Sequence, residues 1–205
     1  MDNEELVASP NRKFAFTLIW TGIVGWFAAF SLTLERIHLA ADPTASLSCD
    51  INVWISCAKV MLTPQAKLLG FPNPIIGLGA FVFPIAVGFA ILAGAQFKMW
   101  FWRLFTLGVT LGFGFVVWLF IQTNYVIHAL CPYCMLAWIA MIPMFWKVFT
   151  WAGAEGVIDV PVRTVKWFVN ASESSWFYAV LTELLALALI VIAFWPLIVA
   201  MFKTL

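Results

Sequence analysis

Residues 104–146 read LFTLGVTLGFGFVVWLFIQTNYVIHALCPYCMLAWIAMIPMFW, a run without one Asp, Glu, Lys or Arg. A helix needs about 20 apolar residues to cross the roughly 30 Å hydrocarbon core of a bilayer. This run has twice that length. Polar residues interrupt it at Gln122-Thr123-Asn124, and His128 and Pro132 interrupt it again. It therefore predicts two membrane helices, 101–122 and 129–150, joined by a short hairpin.

The same test applied outward finds three more spans. Phe14 to Leu34, Leu68 to Phe97 and Leu184 to Phe202 are free of charge. They predict helices over 14–36, 74–96 and, extended back to Ser175, 176–201. The expectation is an all-α membrane protein, one domain over 1–205 with five transmembrane helices and a long loop over 37–73. Composition agrees, with 64% hydrophobic residues, 10% charged and a mean hydropathy of +0.99. A soluble domain is about half apolar and a quarter charged. The net charge of +1 leaves no basic face for nucleic acid, and the apolar excess excludes disorder.

Five spans place the termini on opposite sides. With the N-terminus inside, the inner segments hold Arg12, Lys13, Lys98, Arg103, Lys147, Arg163 and Lys166. The outer ones hold Arg36, Lys59, Lys67 and Lys203. Inner loops collect Lys and Arg, so a cytoplasmic N-terminus is expected. The first apolar run is longer than a signal core and lacks a small-x-small cleavage site, so it reads as a permanent helix. Residues 157–169 read either as an amphipathic piece on the inner surface or as a solvated loop. Glu183 is expected at the inner boundary, and His128 at the outer interface without a chemical role.

In this topology all four cysteines lie outside, where disulfides persist. Cys49 and Cys57 sit in the long loop, and Cys131 and Cys134 form Cys-Pro-Tyr-Cys at a helix start. Unpaired N–H groups and the positive end of the helix dipole favour a thiolate there. Pro132 suits the first turn, where no N–H is lost. The thiolate is the attacking species in disulfide exchange, so two exchanging pairs are expected, although Cys49–Cys57 also reads as a plain loop staple. No metal is expected, because a structural zinc site prefers two closely spaced pairs. Covalent haem needs a His after the second Cys, and Met135 stands there. With no haem or nucleotide motif, the acceptor available to a membrane dithiol is a quinone. Cys134, one turn deeper than Cys131, is the sulfur expected to meet it.

Cys49-Asp50, Ser56-Cys57, Asn73, Gly77 and the Cys-x-x-Cys at the start of the fourth helix resemble the vitamin K epoxide reductase family. The separated pair comes first and the tight pair second, the reverse of the bacterial Dsb-type quinone-linked oxidase. The resemblance runs from Phe14 to Trp151. It implies a four-helix core around a quinone (menaquinone or ubiquinone), with the fifth helix peripheral, in a bacterial inner membrane. It also implies a separate thioredoxin-fold, DsbA-like partner, because the thioredoxin-like domain fused to many bacterial members is expected to be missing. Cys57 would take electrons from that partner, Cys49 would attack Cys131, and Cys134 would be released against the quinone. Asn73 aligns with an Asn that hydrogen-bonds a quinone oxygen, and Trp138 falls where vertebrate members carry a Tyr. Val60, Met61, Ile76 and Leu119 fall at pocket-lining positions. Thr63 stands where the family usually has Ser, and Asp50 would position the loop or tune Cys49. The function so implied is dithiol oxidation of an extracytoplasmic partner, in support of disulfide formation. The rival readings are reduction of a quinone epoxide in the opposite electron direction and a scaffold with structural disulfides.

Overall fold

The computed structural model describes residues 10–42, 46–52 and 54–203, with side chains described to residue 196. The chain is all-α. The helices are α1 (Arg12–Ala41), α2 (Cys57–Met61), α3 (Asn73–Leu92), α4 (Met99–Ile121), α5 (Pro132–Ala154), α6 (Val162–Glu173) and α7 (Ser175–Lys203). A 3-10 turn covers Pro64–Lys67, and a π-helical turn, Gln122–Ile127, prolongs α4. Five of these helices are long and apolar enough to cross a membrane. Among the described residues there is no strand, only an isolated bridge between Ile55 and Leu130.

Helix α1 starts where Asn11 Oδ1 accepts the Phe14 N–H at 2.9 Å, an N-cap that satisfies one orphan donor. Its most extensive partner is α3, and α5 follows. Small residues set that approach, as they do between membrane helices. A methyl group on Gly88 would stand 2.8 Å from the Ala15 carbonyl oxygen, and one on Gly22 would stand 3.1 Å from that of Phe81. Neither backbone can yield to a side chain, so the two helices close only on glycine. Helix α5 occupies the centre, packing on α1, α4, α6 and α7. By contrast, the α3 and α4 backbones stand apart and meet through side chains, Phe83 lying 6.4 Å from Phe101 and 6.3 Å from Phe105 between ring centroids, which leaves a gap between the two helices. Helix α7 leans on α5 from outside and exposes Leu181, Leu184, Leu185 and Leu187, a surface for lipid rather than water.

At the end of the bundle away from the cysteines, Trp102 is fully buried. Its ring lies 4.6 Å from Trp151 and 6.0 Å from Phe14. Aromatic pairs of this kind add about 0.5–1.5 kcal/mol beyond their buried area.

Local structure differs from the sequence reading in three places. Helix α1 runs to Ala41, past the expected end at 36, and its added turn buries Leu39 against Leu47, Cys49 and Cys57. Residues 162–173 form a helix whose Phe168 and Ala171 are buried, so the second half of 157–169 is helical and not a solvated loop, and the helix runs four residues past the expected segment. The expected hairpin at 122–128 is a π turn. Thr123 Oγ1 donates to the Leu119 carbonyl at 3.0 Å, and Asn124 Nδ2 donates to that of Phe120 at 2.7 Å. Side chains occupying the carbonyl ladder widen it. His128 ends the turn at φ 54°, a left-handed conformation that releases the chain toward Cys131.

Candidate redox site

The loop pair is joined, with a Cys49–Cys57 disulfide and a Cα–Cα distance of 5.7 Å. One carboxylate brackets it. Asp50 accepts the Leu47 N–H at 3.3 Å, ahead of Cys49, and the Ala58 N–H at 3.2 Å, just past Cys57. It also accepts a hydrogen bond from the Ser56 side chain. Burial alone would raise the Asp50 carboxyl, but these hydrogen bonds and one from the Cys57 backbone outweigh it and hold the group below its usual value. Ser56 in turn caps α2, its hydroxyl accepting the Lys59 N–H at 3.2 Å.

The loop is pinned to the start of α5 by two backbone hydrogen bonds. The Leu130 N–H donates to the Trp54 carbonyl at 2.7 Å, and the Ser56 N–H donates to the Leu130 carbonyl at 2.9 Å. The next residue on each side is a cysteine. The Cys57 and Cys131 sulfurs consequently lie 3.4 Å apart, in van der Waals contact and fully buried. Cys131 is the N-cap of α5, its sulfur accepting the Cys134 N–H at 3.3 Å, with Pro132 in the first turn. Cys131 and Cys134 are both free thiols. An oxidised pair thus touches a reduced pair. The loop sulfur brought to Cys131 is Cys57, because the bridge ends one residue before it.

Cys134 opens onto a cavity of about 690 Å³ that fills the gap between α3 and α4 and runs along α4 from Gln122 to Trp100. Asn73, Trp138, Val60, Met61, Ile76, Leu119 and Thr63 all line it. At its loop end the walls are polar. Asn73 Nδ2 donates to the Gln65 carbonyl at 2.7 Å, and Asn73 Oδ1 accepts the Leu68 N–H at 3.1 Å. Asn73 is the first residue of α3, not its cap; the cap is Pro72. Its amide ties the helix to the 3-10 turn and keeps one N–H to offer. The Thr63 hydroxyl donates to the Val60 carbonyl at 2.7 Å. Trp138 is buried, edge-on to Phe120 with ring centroids 5.0 Å apart. Farther in, the lining is Phe81, Phe105, Met141 and Met144, and a methyl group added at Gly79 or Gly108 would meet nothing within 4 Å. A polar end beside a thiol and a long apolar body suit a ligand with a polar ring and a hydrocarbon tail. Asp50 serves the loop and is not in the lining.

Four residues at this site escaped the sequence reading. Glu35 is buried in α1 and accepts a hydrogen bond from the Ser48 hydroxyl, which also meets the Tyr133 hydroxyl. Ser48 precedes Cys49, and Tyr133 precedes Cys134. Arg36 Nη1 donates to the Met61 carbonyl at 3.1 Å, and its side chain lines the cavity. The signal was present, since two charges inside a predicted span are costly unless they have a task. Among the described residues no group of three His, Cys, Asp or Glu could hold a metal ion.

A model of the vitamin K epoxide reductase family matches residues 16–149, which takes in α1 to α5 and all four cysteines. No curated protein matches the chain.

Proposed function

The chain belongs to the vitamin K epoxide reductase family, and from that premise we propose that it oxidises the dithiol of an extracytoplasmic thioredoxin-fold, DsbA-like protein and passes the electrons to a membrane quinone. The observation that carries this reading is the row of sulfurs: a closed disulfide at Cys49–Cys57, a contact of 3.4 Å from Cys57 to Cys131, and Cys134 facing the cavity. We place the work in a bacterial inner membrane, with the cysteines on the outer side and the N-terminus inside.

The residues support the following sequence. The partner's thiolate attacks the loop disulfide, and a second thiol of the partner releases it, leaving Cys49 and Cys57 reduced. The Cys57 thiolate then attacks Cys131 in a Cys131–Cys134 disulfide, and Cys134 leaves as a thiolate. Cys49 attacks Cys57, restoring the loop disulfide and freeing Cys131. That transfer ends with the loop pair closed and the helix pair open. Both loop cysteines are buried, Cys57 fully and Cys49 to 4% exposure, but Ser48 and Ile51 around Cys49 are exposed. That contrast favours Cys49 as the sulfur the partner reaches.

A quinone bound in the cavity supplies the sink for two electrons and two protons, which the Cys131 and Cys134 thiols lose as their S–S bond forms. For that group the cavity supports Asn73 as a hydrogen-bond donor, Trp138 as a wall of the ring site, and Val60, Met61, Ile76 and Leu119 as apolar contacts. Thr63 holds the turn at its mouth.

The test is a coupled assay. Purified protein with a short-chain quinone should reoxidise a reduced thioredoxin-fold protein, and Cys131→Ser or Cys134→Ser should abolish it. Normal turnover by both variants would end the proposal. Trapping separates the two loop sulfurs: Cys57→Ala should accumulate a partner disulfide on Cys49, and stronger trapping in Cys49→Ala would restore the order the family resemblance implied.

A further inference from the structure

Every polar residue at the loop end of the cavity is neutral except one. Among the described residues Arg36 is the only charged one in the lining, and no Asp or Glu shares it. Its neighbour Glu35 is turned to Ser48, since adjacent residues on a helix do not face each other. The contact of Arg36 across the cavity rim is a neutral carbonyl, that of Met61. Asn73 and Gln65 are joined to each other, and the Gln65 amide lies 3.5 Å from Gln122 Oε1. A guanidinium keeps its charge at any working pH and has five N–H donors. One N–H meets Met61, which leaves donors for a ligand. A fixed cation in a mainly apolar chamber acts strongly on charge that develops nearby.

We propose that Arg36 is the charge-recognition residue of this cavity, binding the ring oxygen of a quinone and favouring it as that oxygen gains negative charge. The inference rests on the quinone reading above and adds to it the chemistry that the pocket selects: an oxygen that becomes an anion, rather than a neutral hydrocarbon or a lipid tail. Arg36 gives up no proton and takes no electron. Its effect is electrostatic, while the two electrons and two protons come from the Cys131 and Cys134 thiols.

The test compares Arg36→Gln and Arg36→Lys in the full-length protein in detergent. Both keep an N–H donor for the Met61 carbonyl, and only Lys keeps the charge. Two probes are titrated by tryptophan quenching: neutral naphthoquinone, and a hydroxynaphthoquinone that is an anion at neutral pH. The wild type should bind the anion more tightly than the neutral ring. Arg36→Gln should lose about tenfold of that preference, the scale of one lost electrostatic contact, and Arg36→Lys should keep most of it. Disulfide exchange between the cysteine pairs, followed by thiol trapping without quinone, should stay within about twofold of wild type in both variants. Equal preference in Gln and wild type, or equal loss in Gln and Lys, would overturn the proposal. So would a matching loss of exchange, which would mean that Arg36 only braces α2. If neither ring binds the wild type, the quinone reading itself falls and takes this one with it.

Discussion

Asp50 ties Leu47 to Ala58 with one carboxylate, and so closes the loop around Cys49 and Cys57 from both ends. The net value of such hydrogen bonds is about 1 kcal/mol each, and the partial exposure of Asp50 keeps the total near that figure. Asp50→Ala should therefore let dithiothreitol reduce the loop disulfide about fivefold faster, the factor that about 1 kcal/mol represents. Because the folded carboxyl titrates below its usual value, its contribution is complete above the unfolded value near 3.9 and is lost as pH falls through the lower folded one. The gap between wild type and Asp50→Ala should be flat from neutral pH to about pH 5 and close only on further acidification. A gap that shrank between pH 8 and 6 would assign the effect to another group. At this scale the expected task of Asp50 came from resemblance alone, and its observed partners are the Leu47 and Ala58 N–H groups.

Glycine decides how the elements meet. Helices α1 and α3 approach until the Gly88 Cα faces the Ala15 carbonyl, with room for a hydrogen but not a methyl group. Gly88→Ala should cost about 1–3 kcal/mol, the usual range for forcing extra volume into a packed contact, read as a lowered thermal midpoint in detergent. Gly114→Ala, where nothing lies within 4 Å, should be neutral or slightly stabilising, since Ala is the better helix former. If the two behaved alike, close packing of α1 on α3 would not be what holds the bundle. The five spans were legible from charge-free runs, because a bilayer penalises every unpaired backbone group and every charge. Their ends were less legible. The extra turn of α1 depends on the distant loop residues that bury Leu39, and the π turn after α4 on the Thr123 and Asn124 side chains, which bond carbonyls one turn back.

Across the whole molecule, the site exists because the α3 and α4 backbones stand apart while α5 packs on α1, α4, α6 and α7. The cavity between them receives Cys134 at its loop end, and the 54–56 segment delivers Cys57 to Cys131. This geometry makes a sharp prediction about which sulfurs can join. In Cys49→Ala/Cys134→Ala, mild oxidation should link Cys57 to Cys131 rapidly, because the bond needs only a closure from 3.4 Å to about 2.05 Å. In Cys57→Ala/Cys134→Ala, a Cys49–Cys131 link should form at least about tenfold more slowly, since the bridge must open first for a cost of about 1–2 kcal/mol. Peptide mapping of the non-reduced protein distinguishes the two. Equal rates would mean that the loop samples both pairings and that the Ile55–Leu130 bridge does not direct the exchange.

The sequence by itself determined the solvent, the number of crossings and the presence of two cysteine pairs, one at a helix start, because hydrophobic run length and Cys spacing are local properties of the chain. Only the tertiary structure decided which sulfur faces which. Cys57 and Cys131 are 74 residues apart, and two hydrogen bonds between loop and helix start bring them together. It also decided that Arg36 lines the chamber while the Glu35 carboxylate turns to Ser48. Direction around a helix becomes meaningful only once the neighbouring helices are in place.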